Sequence, residues 1–219
     1  RSKKRMKKYD RVLWDWNGTL LDDLDMNYEV MKAMLLKTGK TEFPSKEFYL
    51  EHFSFPIINF YKLLGFGFEK RSFEDVAEEY VEEYEKRLPG TGLFTNAEST
   101  VKNLFESGVK QAVISATGHE RLLTQISRFG IEKYFDAVLG TENELGKGKT
   151  EVAKAWLRKS KADPERTVFV GDTLHDLETA RAIGCDCIFI ARGHNSKERL
   201  ISSGCRVLSD ISEVLNEVL

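Results

Sequence analysis

The sequence predicts an α/β protein: a parallel sheet with helices on both faces, and a smaller all-helical unit inserted after the first strand. Three observations carry this. From about Leu93 onward, short apolar runs alternate with amphipathic segments of helical length, the pattern of parallel strands joined by crossover helices. Between residues 24 and 88, every periodic segment has helical spacing and none reads as a strand. Pro44, Pro56 and the run "LPGTG" (Leu88 to Gly92) punctuate that stretch and close it off. The expected division is 1–23 with 90–219 for the α/β core, and 24–89 for the helical insert.

The elements follow in order. Val12, Leu13 and Trp14 form a short buried strand, which Gly18 and Thr19 end. Four helices come next, in "DLDMNYEVMKAMLLKTG", "SKEFYLEHF", "PIINFYKLLG" and "SFEDVAEEYVEEYEKRL". "TNAESTVKNLFESG" carries a capping-box pattern, Thr95 with Glu98, an apolar face of Val101, Leu104 and Phe105, and Gly108 as its stop. The strand "VKQAVIS" and the helix "HERLLTQISRFG" follow, then "FDAVLG" and "KTEVAKAWLRKS". "RTVFVGD", "HDLETARAIG" and "CDCIFIA" repeat the alternation. The helices "SKERLISSG" and "DISEVLNEVL" flank a last short strand, "CRVL".

Composition narrows the function classes. A chain of 219 residues with 41% hydrophobic and 31% charged residues is ordinary for a globular protein. Its formal charge of −2 exerts no general pull toward nucleic acid or anionic membrane. The one basic cluster, "RSKKRMKK" at residues 1–8, reads as a solvated terminus rather than a nucleic-acid arm. No apolar run reaches the roughly 18 residues of a spanning helix, and no signal-peptide pattern opens the chain. Cys185, Cys187 and Cys205 fit no paired framework and have no metal-ligand spacing. Buried thiols in a reducing cytoplasm are expected, in a monomer or weak dimer without nucleic-acid or membrane partners.

Ligands of open α/β sheets bind beyond the carboxyl ends of the strands. Four polar clusters fall there: Asp15-Trp16-Asn17-Gly18-Thr19, Ser115-Ala116-Thr117, the turn with Lys147 and Lys149, and Gly171-Asp172-Thr173-Leu174-His175-Asp176. Singly, each has a bland reading as a helix cap, a turn or a solvated lysine. Together they bring three carboxylates, a hydroxyl and a lysine to one sheet edge. Asp15 with Asp172 or Asp176 can hold a hard cation through oxygen ligands. That cation, Lys149 and Ser115 would neutralise a phosphoryl group while Asp15 attacks phosphorus.

On these residues the chain resembles the haloacid dehalogenase superfamily, in its phosphoglycolate-phosphatase-like branch. The resemblance runs from about Tyr9 to Leu219. It rests on "DWNGTL", Ser115, a lysine before "TEVAKAW" and "GDTLHD", in that order, with a helical insert after the first. It implies a Rossmann-like core under a helical cap, and Mg²⁺-dependent hydrolysis of a small phosphorylated metabolite. Asp15 is then the nucleophile and a metal ligand, forming an aspartyl-phosphate. The Asn17 carbonyl and Asp172 complete the protein ligands, and Asp176 binds through water or holds Lys149. Ser115 and Lys149, with Lys147 as its rival, bind phosphoryl oxygens, helped by backbone N–H groups of the loops holding Gly18, Thr19 and Ala116.

Asn17 departs from the family pattern, which has aspartate there as the general acid and base. An amide cannot supply a proton at neutral pH. Another group, His175 or His52, could take its place, or the substrate could have a leaving group that needs little protonation. The alternatives are a phosphate-ligand binding or regulatory protein without turnover, and a phosphonatase-type hydrolase using an insert lysine such as Lys32, Lys37, Lys40, Lys46 or Lys62. By this reading Asn17→Asp alone restores an acid and raises turnover.

Overall fold

A computed structural model of the chain describes residues 8–142 and 148–219. Most of the basic cluster at residues 1–8, and Lys147, lie outside the described residues. Six strands form one sheet: β1 (Arg11–Trp14), β2 (Lys110–Gly118), β3 (Ala137–Thr141), β4 (Thr167–Gly171), β5 (Asp186–Ile190) and β6 (Arg206–Leu208). Their order is β3-β2-β1-β4-β5-β6, and every neighbouring pair is parallel. Adjacent parallel strands need crossover connections. These are α6 (His119–Ser127), α7 (Lys149–Ser160), α8 (Leu174–Ile183) and α9 (Lys197–Ile201), with α5 (Ala97–Glu106) leading into β2 and α10 (Val214–Val218) closing the chain.

Strand alternation sorts the core into two layers. Val12 and Trp14 of β1, with Val168 and Val170 of β4, face a cluster that includes Val101, Leu104 and Val214. Leu13 and Phe169, one residue out of phase, face Ala153, Trp156 and Ile183 on the other side. A strand buried on both faces must be apolar throughout, which is why "VLW" carries no polar residue. The polar edges of two buried indoles are satisfied: Trp14 donates to Gln111 at 2.9 Å and Trp16 to Gln125 at 2.8 Å.

The sequence-predicted capping box at Thr95 and Glu98 does not form. Asn96 occupies the N-cap position with φ 70°, and no side chain caps α5. Asparagine tolerates the left-handed region, and here its amide reaches Asp210 at 3.2 Å instead. The terminal "DISEVLNEVL" also divides, into a 3₁₀ turn at Ile211–Glu213 and the short α10.

Between β1 and β2 lie α1 (Leu24–Lys37), α2 (Lys46–His52), α3 (Ile57–Leu64) and α4 (Phe73–Arg87). They share an apolar cluster of their own, including Val30, Met34, Tyr49, Phe60, Leu64 and Val76. This insert rests on the carboxyl edge of the sheet. Asn195 and Arg199 donate to the Phe53 carbonyl at 3.0 and 2.7 Å, and Ser196 N–H donates to the Leu50 carbonyl.

Candidate active site

The sheet brings the first and fourth polar clusters side by side. The Asp15 N–H donates to the Val170 carbonyl at 2.9 Å, so Asp15 extends the β1–β4 ladder one residue past β1. Asp172 follows β4 directly. Asp15, Asp172 and Asp176 are all buried, with carboxylate oxygens within 4.8 Å of one another. Lys149, at the start of α7 and also buried, donates to Asp15 Oδ1 at 2.6 Å and to Asp176 Oδ1 at 2.5 Å. The other Asp176 oxygen accepts from the N–H groups of Asp172 and Thr173 and from the Thr173 hydroxyl. Asp176 thus caps α8 through one oxygen and fixes the lysine through the other.

Charge in this dry place has consequences. Burial, and then the neighbouring Asp176, push the Asp15 carboxyl well above its ordinary range against the pull of Lys149. Burial also raises Asp172, to about 6, although the His194 charge opposes it. Burial would lower the Lys149 ammonium, but Asp15 and Asp176 hold it above the usual value. A cluster of hard oxygen donors with more negative charge than one ammonium balances suits a divalent cation. The residues present fit such an ion.

Gly18 and Thr19 lie against Asp172. Gly18 has φ +70°, and a Cβ there would sit 2.3 Å from Asp172 Oδ2; only glycine fits. Its N–H is engaged by Asp23 Oδ1 at 2.8 Å and the Leu21 carbonyl. Thr19 is fully buried, and its hydroxyl donates to Asp172 Oδ1 at 3.0 Å. Thr19 positions Asp172, and Gly18 leaves room for it. Ser115 and Ala116 do line the cleft beside Asp15 and Asn17, and Ser115 Oγ accepts from the Thr117 N–H at 3.1 Å.

Asn17 is bonded on every side. Its Nδ2 donates to Asp23 Oδ2 and to the Tyr84 hydroxyl, both at 2.9 Å. Its Oδ1 accepts from the Thr117 hydroxyl at 2.8 Å and from Ser115 at 3.4 Å. Asp23 in turn accepts from Tyr84 at 2.7 Å and pairs with His194 Nε2 at 3.1 Å. His194 Nδ1 meets the Tyr49 hydroxyl of α2 at 2.9 Å, and its N–H donates to Asp172 Oδ2 at 2.6 Å. Burial would raise Asp23, but the His194 charge and bonds from His194, Tyr84 and Asn17 hold its carboxyl below the usual range. Burial would lower His194, yet Asp23 brings it up to about 9. The two side chains are 1% and 3% exposed, so the contact is dry.

Sequence reasoning missed Asp23, His194, Tyr49 and Tyr84 as members of this network, and placed Thr117 at the sheet edge without a role. The available signal was "GHN" (Gly193 to Asn195), a polar run past the strand "IFI" at the same sheet edge. Gly193 belongs with it, since a Cβ there would meet Asp172 Oδ2 at 2.0 Å and the Gly18 carbonyl at 2.4 Å.

The two expected histidine substitutes sit in different settings. His52 is exposed, hydrogen-bonded to the Phe48 carbonyl and stacked on the Phe48 ring. His175 lines the cleft, but Phe55 stacks on it at 4.5 Å and its Nδ1 meets Glu178 at 3.3 Å. Burial lowers its pKa. Among the described residues, no lysine of the insert lines the cleft.

Comparison with known proteins follows the same line. The model of the family described as haloacid dehalogenase-like hydrolase matches residues 12–190. A phosphoglycolate phosphatase of Pseudomonas fluorescens is 26% identical over 192 residues, covering 84% of this chain and 70% of that protein. A 5'-nucleotidase of Pseudomonas aeruginosa is 28% identical over 199 residues, covering 88% and 87%. A crystal structure of a predicted phosphatase from Clostridium acetobutylicum superposes with a TM-score of 0.77 at 20% identity, covering 95% and 97%. The last is a likeness of fold.

Proposed function

The chain belongs to the haloacid dehalogenase-like hydrolase family, and on that premise we propose that it hydrolyses small phosphomonoesters, with Asp15 as nucleophile and residues 24–89 as a cap over the site. The phosphatase relatives support this reading. One observation carries it: a buried carboxylate at a strand end, in contact with a buried lysine, opens onto a cleft whose other wall is a helical insert.

Asp15 forms a bond to phosphorus as the ester oxygen leaves, and water then cleaves the aspartyl-phosphate. Lys149 neutralises the phosphoryl oxygens and is held by Asp176. Ser115 adds a hydroxyl at the cleft wall. Asp15, Asp172 and the Asn17 carbonyl would hold Mg²⁺, with Asp176 behind them, and the bound ion would supply further positive charge against the phosphoryl group. Asn17 accepts from Thr117 and Ser115 at its side-chain Oδ1, not at the backbone carbonyl, and carries no transferable proton.

Phosphate release from a panel of esters with Mg²⁺, against a chelated blank, tests this. Asp15→Asn should abolish release, and denaturing the working wild type should trap a phosphorylated Asp15. Release that persists in Asp15→Asn would overturn the assignment. The full bonding of Asn17 favours one second reading, a phosphate-ligand binding protein without turnover. Tight phosphate binding with no release from any ester would select it.

A further inference from the structure

The part of the cleft wall that the insert contributes is apolar and aromatic. Lining residues from the insert include Met31, Phe53, Phe55, Ile57 and Phe60, and none of its lining residues carries a charge. Several of its polar side chains are already engaged. The Asn27 amide donates to the Tyr49 hydroxyl at 2.6 Å, Tyr80 donates to Asn27 at 2.5 Å, Tyr49 bonds to His194 and Tyr84 to Asp23. Arg121 of α6 also lines the cleft, but it is paired with Glu85 at 3.0 Å. A carboxylate or second phosphate on the leaving group would lie against aromatic carbon, and burying a charge without a partner is costly.

The chemistry at Asn17 points the same way. The position that would protonate a departing oxygen holds an amide whose donors and acceptor are all used within the protein. A phenolic oxygen ionises near pH ~10, as tyrosine does. An alkanol resembles water, near ~15.7. Only the first leaves readily without a proton.

We propose that the substrate of this site is a small aryl phosphate, with an uncharged aromatic leaving group seated against the wall of Met31, Phe53, Phe55, Ile57 and Phe60. The inference rests on the phosphatase reading and deepens it. The Asp15 carboxylate forms an O–P bond while the P–O bond to the aryl oxygen breaks, and the electron pair leaves on the aryloxide. Water then adds to phosphorus and the Asp15–phosphorus bond breaks, restoring the carboxylate. The proton released by water ends on the aryloxide, so the products are a phenol and inorganic phosphate. No protein acid is consumed.

Four probes with Mg²⁺ separate ring contact from leaving ability: phenyl phosphate, benzyl phosphate, acetyl phosphate and phosphoglycolate. Phenyl phosphate should have the highest kcat/KM, at least about 10-fold above acetyl phosphate, on the scale of one apolar group in a pocket. Benzyl phosphate should share its KM but not its kcat, and phosphoglycolate should be the poorest. Phe55→Ala, a half-buried loop position, should reduce the phenyl-to-acetyl ratio several-fold. Phosphoglycolate or acetyl phosphate matching phenyl phosphate would overturn the aryl class and leave the phosphatase reading intact. Release from none of the four, with Mg²⁺ bound, would instead remove the phosphatase reading. A tyrosine-phosphorylated peptide cleaved as fast as phenyl phosphate would overturn the small-molecule class.

Discussion

At the scale of single residues, Asn17 is understood through Asp23. A carboxylate at position 17 would face the Asp23 oxygen across the 2.9 Å now spanned by an amide N–H. Two carboxylates at such range cannot both ionise freely. The sequence alone predicts that Asn17→Asp raises turnover, and the structure revises this: the single change meets a buried like charge. The exchange Asn17→Asp with Asp23→Asn keeps one charge and one amide in the pair. Alkyl phosphate turnover should rise about 10-fold or more in the exchange variant, the range acid–base groups contribute, and stay low in Asn17→Asp. Equal gains in both variants would show that Asp23 does not govern the choice of residue 17. The Asp23–His194 pair also sets a pH dependence. His194 is raised from 6.5 to about 9, so its stabilisation is complete below about pH 6.5 and is lost as pH rises through about 9. The shift corresponds to a contribution on the order of 3 kcal/mol. In chelated buffer the Tm should fall between pH 7 and 9.5, and His194→Gln should flatten that fall. A variant with the wild-type slope would assign the pH dependence elsewhere.

At the scale of elements, the insert and the core meet partly through polar groups. Tyr49, Tyr84 and the carbonyls of Leu50 and Phe53 supply contacts from the insert. The chain returns to the core through the 3₁₀ turn Leu88–Gly90. A Cβ on Gly90 or Gly92 would meet nothing within 4 Å, and neither has positive φ. Alanine therefore fits the docked arrangement, and each change should add about 0.4–1 kcal/mol by restricting the unfolded chain. If the insert swings to admit substrate, the same restriction slows the swing. Gly90→Ala with Gly92→Ala should keep or raise Tm while lowering kcat for large and small esters alike. Unchanged kcat with raised Tm would assign the turn a structural role only.

Across the whole molecule, the site concentrates negative charge that the fold alone does not balance. Asp15, Asp23, Asp172 and Asp176 are buried around Lys149 and His194. A cation that binds only the folded protein stabilises it by mass action. Mg²⁺ should raise the wild-type Tm. Asp172→Asn should raise the Tm of the chelated protein, since it removes a buried like charge, and should abolish the response to Mg²⁺. A variant that still responds to Mg²⁺ with wild-type affinity would take Asp172 out of the metal site.

The sequence by itself determined the α/β class, the helical insert and the four polar strand ends. These depend on local periodicity, on glycine and proline punctuation, and on the rule that places ligands at carboxyl edges. Val12 to Trp14 read as a short buried strand, and Asp172 was placed by the strand it follows, whereas β2 continues past Ser115 to Gly118. Local pattern failed at Thr95, where Asn96 took the cap because its left-handed backbone sends its amide to Asp210, 114 residues away. It failed more consequentially at Asn17. The partners that decide its chemistry, Asp23, Tyr84, Thr117 and, through Asp23, His194, come from the first loop, α4, β2 and the loop after β5. No window of sequence contains them together. Periodicity reports which face of an element is buried, but hydrogen-bond partners across a cleft are set by how elements pack, and only the tertiary structure supplies that.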